Sequence, residues 1–339
     1  MGRDQSRGCN SVTARVIGLY TETLLHLGTG QSAGDVDLPV QRERHTGYPV
    51  IPASSLKGSL RDAARNRWGP SDGRIAVLFG PETQSADLHA GALSVGEGHI
   101  AAFPVRSIPG PFRWVTCATV LSRLARDLGA AGALLAPGGA AGAAGAAGAA
   151  GAAGAAAAPA PVARTMVLED YEISGQELPR AMTGGRRAWG QLAPLLPPEG
   201  PYAAVAHDLG ERLLLVPDKG FEYLCRAATE VAARVALNEH KTSENLWFEE
   251  ALPRDCLFYA IIRVGPSHVP PGARDAGAAD PARAFDDLLQ DVPYLQMGGN
   301  ETVGQGWCRI VAAPQAALAA ASVAAAPTGS PTGEGVAAR

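Results

Sequence analysis

The run Asp255–Val264 (DCLFYAIIRV) constrains this chain most. It is almost continuously apolar, rich in β-branched and aromatic residues, and too short for a spanning helix. It predicts a strand buried on both faces, which needs a sheet around it and layers above and below. Ala14–Thr23 (ARVIGLYTET) has the same character and predicts a first strand. Further strands are expected in Ala92–Val105, Val162–Ile173, Arg212–Val216 and Trp307–Val311. Helices are expected from Ser54 or Ser55, as cap, to about Trp68, over Val120–Leu128 and over Ala282–Gln290. Phe221 to about Leu237 reads as an amphipathic helix or a helix followed by a strand. Strands and helices alternate irregularly with hairpins between, which favours α+β over a doubly wound parallel sheet.

The chain has 339 residues, enough for one large domain or two ordinary ones. No run of eighteen apolar residues is free of glycine or charge, so no membrane span is expected. The N-terminal MGRDQSRGCNSVTARV has no apolar core of a secretory signal. The five cysteines (Cys9, Cys117, Cys225, Cys256, Cys308) are odd in number and scattered, with no CxxC. That argues against a disulfide framework and a cysteine zinc site, and for a reduced, cytoplasmic protein. Residues 1–12 are polar and predicted disordered, as is the Ala/Pro/Gly/Thr tail 312–339. Between them, 13–311 forms the domain, interrupted at 137–161 by a Gly-Ala-Ala repeat expected to be a mobile insertion.

Charge is unevenly spread. Gln41–Arg74 holds seven basic and three acidic side chains, a local +4 in a chain of formal charge −4. Lys57, Arg61 and Arg65 lie four apart on one helix side, with Leu56, Leu60, Ala63, Ala64 and Arg67 following helical spacing on another. Such a patch suits a positioned phosphate backbone; its plainer meaning is a solvated helix face.

Two glycine-rich loops carry candidate chemistry. In the first, His26-Leu27-Gly28-Thr29-Gly30 precedes Gly34-Asp35-Val36-Asp37. On an extended segment Asp35 and Asp37 would face one metal ion; in a turn they would cap backbone amides. His26 has the same two readings, catalytic or structural. The second, Gly298–Gly306 (GGNETVGQG), would let a nucleic-acid backbone lie against the main chain, or is a flexible hairpin. GxxxxGK[ST], GxSxG and HExxH are absent, which argues against an NTPase, a hydrolase elbow and a zincin.

Four ordered segments then carry a resemblance: IGLYTETLLHLGTGQSAGDVDLPVQRERHTGYPVIPASSLKGSLR ending at Arg61, GALSVGEGHIAAFPVRS (Gly91–Ser107), LWFEEALPRDCLFYAII (Leu246–Ile262) and YLQMGGNETVGQGW (Tyr294–Trp307). Together they resemble the RAMP superfamily of CRISPR-associated proteins, and within it the repeating backbone subunit of the type III-B (Cmr) RNA-targeting effector. The resemblance spans roughly Arg15–Val311, apart from the repeat insertion and part of 174–211.

It implies a ferredoxin-like, RRM-related palm with inserted finger and thumb elements. It implies guide CRISPR RNA and complementary target RNA as partners, copies of the chain in a helical stack, other Cmr subunits, and no membrane. It implies target RNA cleavage at regular intervals with a divalent metal, Mg²⁺ or Mn²⁺. Asp37 matches the catalytic, metal-holding aspartate before the Pro of a VDxP stretch. His26 matches the histidine of an HxGxG loop. Glu249 and Glu250 match an acidic pair, with Phe248 where the family has tyrosine. Ser54, Ser55, Lys57, Gly58 and Arg61 match the guide-binding helix start, and Gly298, Gly299, Gly304 and Gly306 the signature loop. His26 and Glu249 are the candidates for protonating the leaving oxygen. Attack by the RNA's own 2′-hydroxyl would leave a 2′,3′-cyclic phosphate. The alternatives are an RNA-binding filament subunit that does not cut, and a metal-independent guide-processing nuclease using His26.

Overall fold

A computed structural model describes residues 12–30, 36–82, 89–135, 165–197, 199–270 and 280–314. Asp35, Cys9, residues 1–11, the whole Gly-Ala-Ala repeat and the tail from 315 lie outside the described residues.

In chain order the elements are β1 (Thr13–Thr21), β2 (Val50–Ile51), α1 (Ala53–Trp68), α2 (Gly73–Phe79), β3 (Leu93–Val95), β4 (Gly98–Ile108), β5 (Phe112–Cys117) and α3 (Ala118–Leu135). There follow β6 (Met166–Leu168), β7 (Tyr171–Ile173), α4 (Leu178–Leu192), α5 (Tyr202–Arg212), β8 (Leu213–Val216), α6 (Asp218–Ala227), β9 (Glu230–Leu237) and β10 (Ser243–Ala251). The last are β11 (Leu257–Val264), α7 (Pro281–Asp291), β12 (Tyr294–Gln296) and β13 (Trp307–Ala312).

The main sheet runs β12-β13-β1-β11-β4-β5-β8. It is antiparallel apart from the parallel pair β5–β8. The two most apolar stretches of the sequence, β1 and β11, are its centre and pair over eight residues from Thr13–Val264 to Tyr20–Leu257. Alternation divides them between two cores. Ile17, Leu19, Phe258, Ala260 and Ile262 join the side chains of α1, α2, α6 and α7 on one face. Val16, Tyr20, Leu257 and Tyr259 meet α3, α4 and α5 on the other. A register shift between Leu257 and Phe258, opposite Ala102 and Ile100, puts the neighbours Ala101 and Ala102 on the same face.

The expected α+β class matches this mixed architecture. Several local readings are corrected. Neither Ser54 nor Ser55 caps α1: Pro52 occupies the cap position and its carbonyl accepts from Leu56 N at 3.0 Å, so both serines fall inside the first turn. Proline fixes the backbone angle there and leaves no donor to satisfy. α3 begins at Ala118, directly after β5, rather than at Val120. The segment Phe221–Leu237 takes the second of its two expected forms, a helix followed by a strand, with the break after Ala227. β13 continues to Ala312, and buried Ala313 donates its N–H to the Val16 carbonyl at 2.8 Å.

β9 and β10 pair with each other in a separate two-stranded sheet. Asn238 closes their turn: its Oδ1 accepts the N–H groups of His240 and Thr242, both at 3.0 Å. The hairpin exposes Val231, Val235, Leu246 and Phe248, a run of apolar side chains with no core to enter. Among the described residues no helix is long and apolar enough to cross a membrane.

Candidate active site

The root of β10 gathers the candidate residues. On one side, Leu25 exchanges backbone hydrogen bonds with Leu252, 3.0 and 2.9 Å, which fixes the chain just before His26. On the other, Leu38 N donates to the Phe248 carbonyl at 3.1 Å and Glu250 N to the Leu38 carbonyl at 3.0 Å. That short ladder lays the Asp37 strap alongside the hairpin. Asp37 is exposed, and its Oδ2 accepts the Phe248 N–H at 2.8 Å. One carboxylate oxygen is thus held by the backbone beside the hairpin's apolar face.

His26 is 9% exposed and its Nδ1 lies 2.6 Å from the Glu250 carbonyl oxygen. A carbonyl only accepts, so Nδ1 carries the proton. Glu249 and Glu250 are 6% and 7% exposed. Buried carboxylates need partners, and both have them. Glu250 Oε2 accepts the Val40 N–H at 2.9 Å and its Oε1 pairs with Arg42 Nη2 at 2.5 Å. Arg42 also donates to the carbonyls of Gly47 and Cys225, at 3.2 and 3.0 Å. Glu249 Oε1 accepts from Asn300 Nδ2, and its Oε2 lies 3.5 Å from Arg234 Nε. His26 Nδ1 is 3.9 Å from Glu249 Oε1.

The second glycine loop packs against the same root. Gly299 N donates to the His26 carbonyl at 2.9 Å and Gly306 N to that of Leu24 at 2.8 Å. Gly298 and Gly306 have φ of +84° and +85°, and a Cβ would sit 2.2 Å from His26 O and 2.1 Å from Met297 O respectively. Close backbone approach within the protein therefore accounts for both. Gly304, φ +81°, faces open space.

The structure thus brings His26, Asp37, Glu249, Gly298 and Gly299 together. Ser54, Ser55, Lys57, Gly58 and Arg61 lie apart from them, along α1. Ser54 and Gly58 are exposed. Lys57 Nζ donates to the Leu93 carbonyl at 3.2 Å and Arg61 Nη2 to the Gly80 carbonyl at 3.1 Å. Arg61 Nε is buried without a partner. Arg42, Arg234 and Asn300 escape a sequence reading. Arg42 is visible there only as one charge of a basic window, and Asn300 only as a spacer between glycines.

Next to Arg42, Glu43 is a hub. It accepts from both terminal nitrogens of Arg123, the second at 2.9 Å, from His99 Nδ1 at 3.1 Å and from Thr46 Oγ1 at 2.6 Å. Burial pushes its carboxyl up, but these hydrogen bonds from His99, Arg123 and Thr46 outweigh it and hold the group at about 2.

Among the described residues no three His, Cys, Asp or Glu side chains assemble as a metal cage. The oxygens of Glu249 and Glu250 are committed to internal partners. Asp37 is the exposed carboxylate of the cluster, and one carboxylate combined with substrate phosphate is a donor set that suits Mg²⁺.

A model of the RAMP superfamily matches residues 19–309. The chain is 35% identical over 307 residues to the CRISPR system Cmr endoribonuclease Cmr4 of Pyrococcus furiosus, covering 88% of this chain and 95% of that protein. It is 25% identical over 300 residues to the CMR subunit Cmr4 of Saccharolobus solfataricus, covering 84% and 91%. Among solved structures, oligomeric Cmr4 from Pyrococcus furiosus matches with a TM-score of 0.56 at 28% identity, covering 88% of this chain and 96% of that one. A chain of the type III-B Cmr-beta complex bound to cognate target RNA shares the fold, with a TM-score of 0.61 at 17% identity over 88% and 96%. The match across β1 to β13, the segments that build the cluster around His26 and Asp37, makes this chain a member of the RAMP superfamily.

Proposed function

We infer that this chain is a backbone subunit of a type III-B RNA-guided effector, working in the cytoplasm, which holds guide RNA and cuts the complementary target RNA. The observation that carries the reading is Asp37: an exposed carboxylate, pinned through Oδ2 to the Phe248 amide, at the root of a protruding apolar hairpin. The 35% identity to an endoribonuclease supports the reaction class.

The order β13-β1-β11-β4, with α1 between β1 and β4 and α7 between β11 and β13, supports a ferredoxin-like palm. The β9–β10 hairpin is then the thumb. Copies stack along the guide with the other Cmr subunits, as the oligomeric relative supports.

Guide phosphates lie along α1. Lys57 and Arg61 each spend one donor on a carbonyl, which leaves an ammonium and a guanidinium with further donors for phosphate oxygens. The first amides of α1, at exposed Ser54 and half-buried Ser55, add dipolar attraction for phosphate. These contacts fix the position of RNA without reading its sequence; base pairing to the guide does that.

At the scissile nucleotide the thumb displaces a base, so that the target's 2′-hydroxyl attacks the adjacent phosphate in line: the P–O2′ bond forms as the P–O5′ bond breaks, the 2′ proton is lost, and the departing 5′-oxygen takes up a proton to become a 5′-hydroxyl. Asp37 meets the RNA there, its orientation fixed by the Phe248 amide. Asp37 would hold Mg²⁺ or Mn²⁺ with the target phosphate, and the ion when bound stabilises charge on that phosphate. The burial of His26 and Glu249 supports supporting roles beneath the strap for both, rather than delivery of a proton to the leaving oxygen.

The test is the product. The effector, assembled with guide RNA and its partner subunits and given Mg²⁺, should cut a complementary transcript and leave 2′,3′-cyclic phosphate ends. EDTA should stop it. Ends carrying only 3′-hydroxyls would reject attack by the 2′-hydroxyl, and cutting undiminished in EDTA would reject the metal.

A further inference from the structure

We propose that Asn300 is a positioning residue for target cleavage, holding Glu249 and through it the attitude of the β9–β10 hairpin over the RNA. The proposal rests on the cleavage reading above.

The hairpin needs such a device. Its strands pair with each other and are not part of the main sheet, so the hairpin depends on the contacts at its root. Those include the Leu25–Leu252 pair, the ladder to Leu38, the His26 bond to the Glu250 carbonyl, the Glu250 pair with Arg42, and Glu249. Asn300 approaches Glu249 from the main sheet. Its backbone is left-handed, φ 62° and ψ 28°, which asparagine tolerates better than most residues. Its Nδ2 donates to Glu249 Oε1 and, at 3.1 Å, to Gln305 Oε1. Gln305 N returns a bond to the Asn300 carbonyl at 3.2 Å. Gln296 of β12 closes the loop by donating Nε2 to the carbonyls of Glu301 and Gln305, both at 2.9 Å. The loop is in turn tied to His26 and Leu24 through Gly299 and Gly306.

Three elements therefore converge on one buried carboxylate, and a fourth is joined to the residue beside it. Asn300 comes from the glycine loop, Arg234 at 3.5 Å from β9, and His26 at 3.9 Å from the segment after β1. The fourth, the Asp37 strap, is joined to the preceding residue, Phe248. An ionised Glu249 only accepts, and the Asn300 amide nitrogen only donates. A carboxyl in place of the amide would repel Glu249 when ionised and donate to it when protonated. A carboxyl crowded by another titrates higher than usual.

The experiment uses the assembled effector with guide RNA and Mg²⁺, carrying wild-type chain, Asn300→Ala or Asn300→Asp. Target cleavage is followed from about pH 8 down to about pH 5, where an acid-crowded carboxyl begins to protonate. Amide hydrogen exchange of Glu249, Glu250 and Ala251 is measured in the same particles. Asn300→Ala should slow cleavage about tenfold to a hundredfold at every pH, the scale of a small misplacement, with target binding kept and exchange at the hairpin root accelerated. Asn300→Asp should be as slow at high pH and approach the wild-type rate as the pH falls. Wild-type exchange in Asn300→Ala, or a deficit in Asn300→Asp that stays constant with pH, overturns the proposal. If the wild-type particle leaves the target whole, the cleavage reading falls while the exchange measurement still decides the clamp.

Discussion

The Asp37 carboxylate accepts the Phe248 backbone N–H at 2.8 Å across 211 residues of sequence. One strand residue therefore contributes its amide to the candidate catalytic carboxylate and its side chain, 42% exposed, to the apolar face of the hairpin. Movement of the hairpin root moves Asp37 with it.

Arg42 is the pin whose removal should cost most. Its Nη2 neutralises buried Glu250, which also holds the Val40 amide. Arg42→Met keeps the stem and leaves a carboxylate uncompensated, which should cost about 3 kcal/mol. Urea denaturation of the purified subunit measures it. A midpoint equal to wild type would show that Glu250 finds water or another cation instead.

Glu43 makes stability depend on acid. Its carboxyl is held at about 2, below its ordinary 4.5, because hydrogen bonds from His99, Arg123 and Thr46 outweigh the effect of burial. A group depressed on folding stabilises above its unfolded value and loses that contribution as the pH falls through its folded value. Glu43→Gln should therefore be less stable than wild type at neutral pH, and the gap should close between about pH 4.5 and about pH 2. Denaturation at neutral and acid pH checks this, and a gap that does not change with pH contradicts it.

Lys57 and Arg61 should reveal themselves through salt. Each phosphate contact on single-stranded RNA contributes a slope of about 0.7 in log affinity against log salt. Lys57→Ala with Arg61→Ala should weaken guide binding and lower the slope by about 1.4, twice that value. Guide affinity measured across a salt series reads both, and an unchanged slope would remove α1 from the RNA path.

The fold was legible where burial writes itself into sequence. β1 and β11 are covered on both faces over most of their length, so their runs are largely apolar, with Arg15 and Arg263 the charged exceptions. α1 shows its buried Leu56, Leu60 and Ala64 at helical spacing. β10 is different: SENLWFEEA mixes polar and apolar residues because only its last three residues are buried. Helix α4 carries Gly184 and Gly185 in its middle, which local propensity disfavours. Gly185 is there because a Cβ would strike the Leu213 carbonyl at 1.9 Å, a tertiary demand that no local pattern announces.

The site was legible in part for the same kind of reason. His26 and Asp37 stand out as polar groups in a glycine-rich loop, and Glu249 is marked only by the family resemblance, but sequence cannot bring residue 249 to residue 37. The ladder between Leu38 and β10 does that. Asn300 and Arg42 have meaning only through the buried carboxylates they serve. The glycines of the second loop do mark a close approach of chain to chain, and at Gly298 and Gly306 the approaching backbone is the protein's own.

The most direct measurement replaces Asp37 by alanine in the assembled effector, with guide RNA, Mg²⁺ and a complementary transcript. Assembly and target binding should stay near wild type while cutting is abolished. Cutting at the wild-type rate by the Asp37→Ala particle would contradict the account.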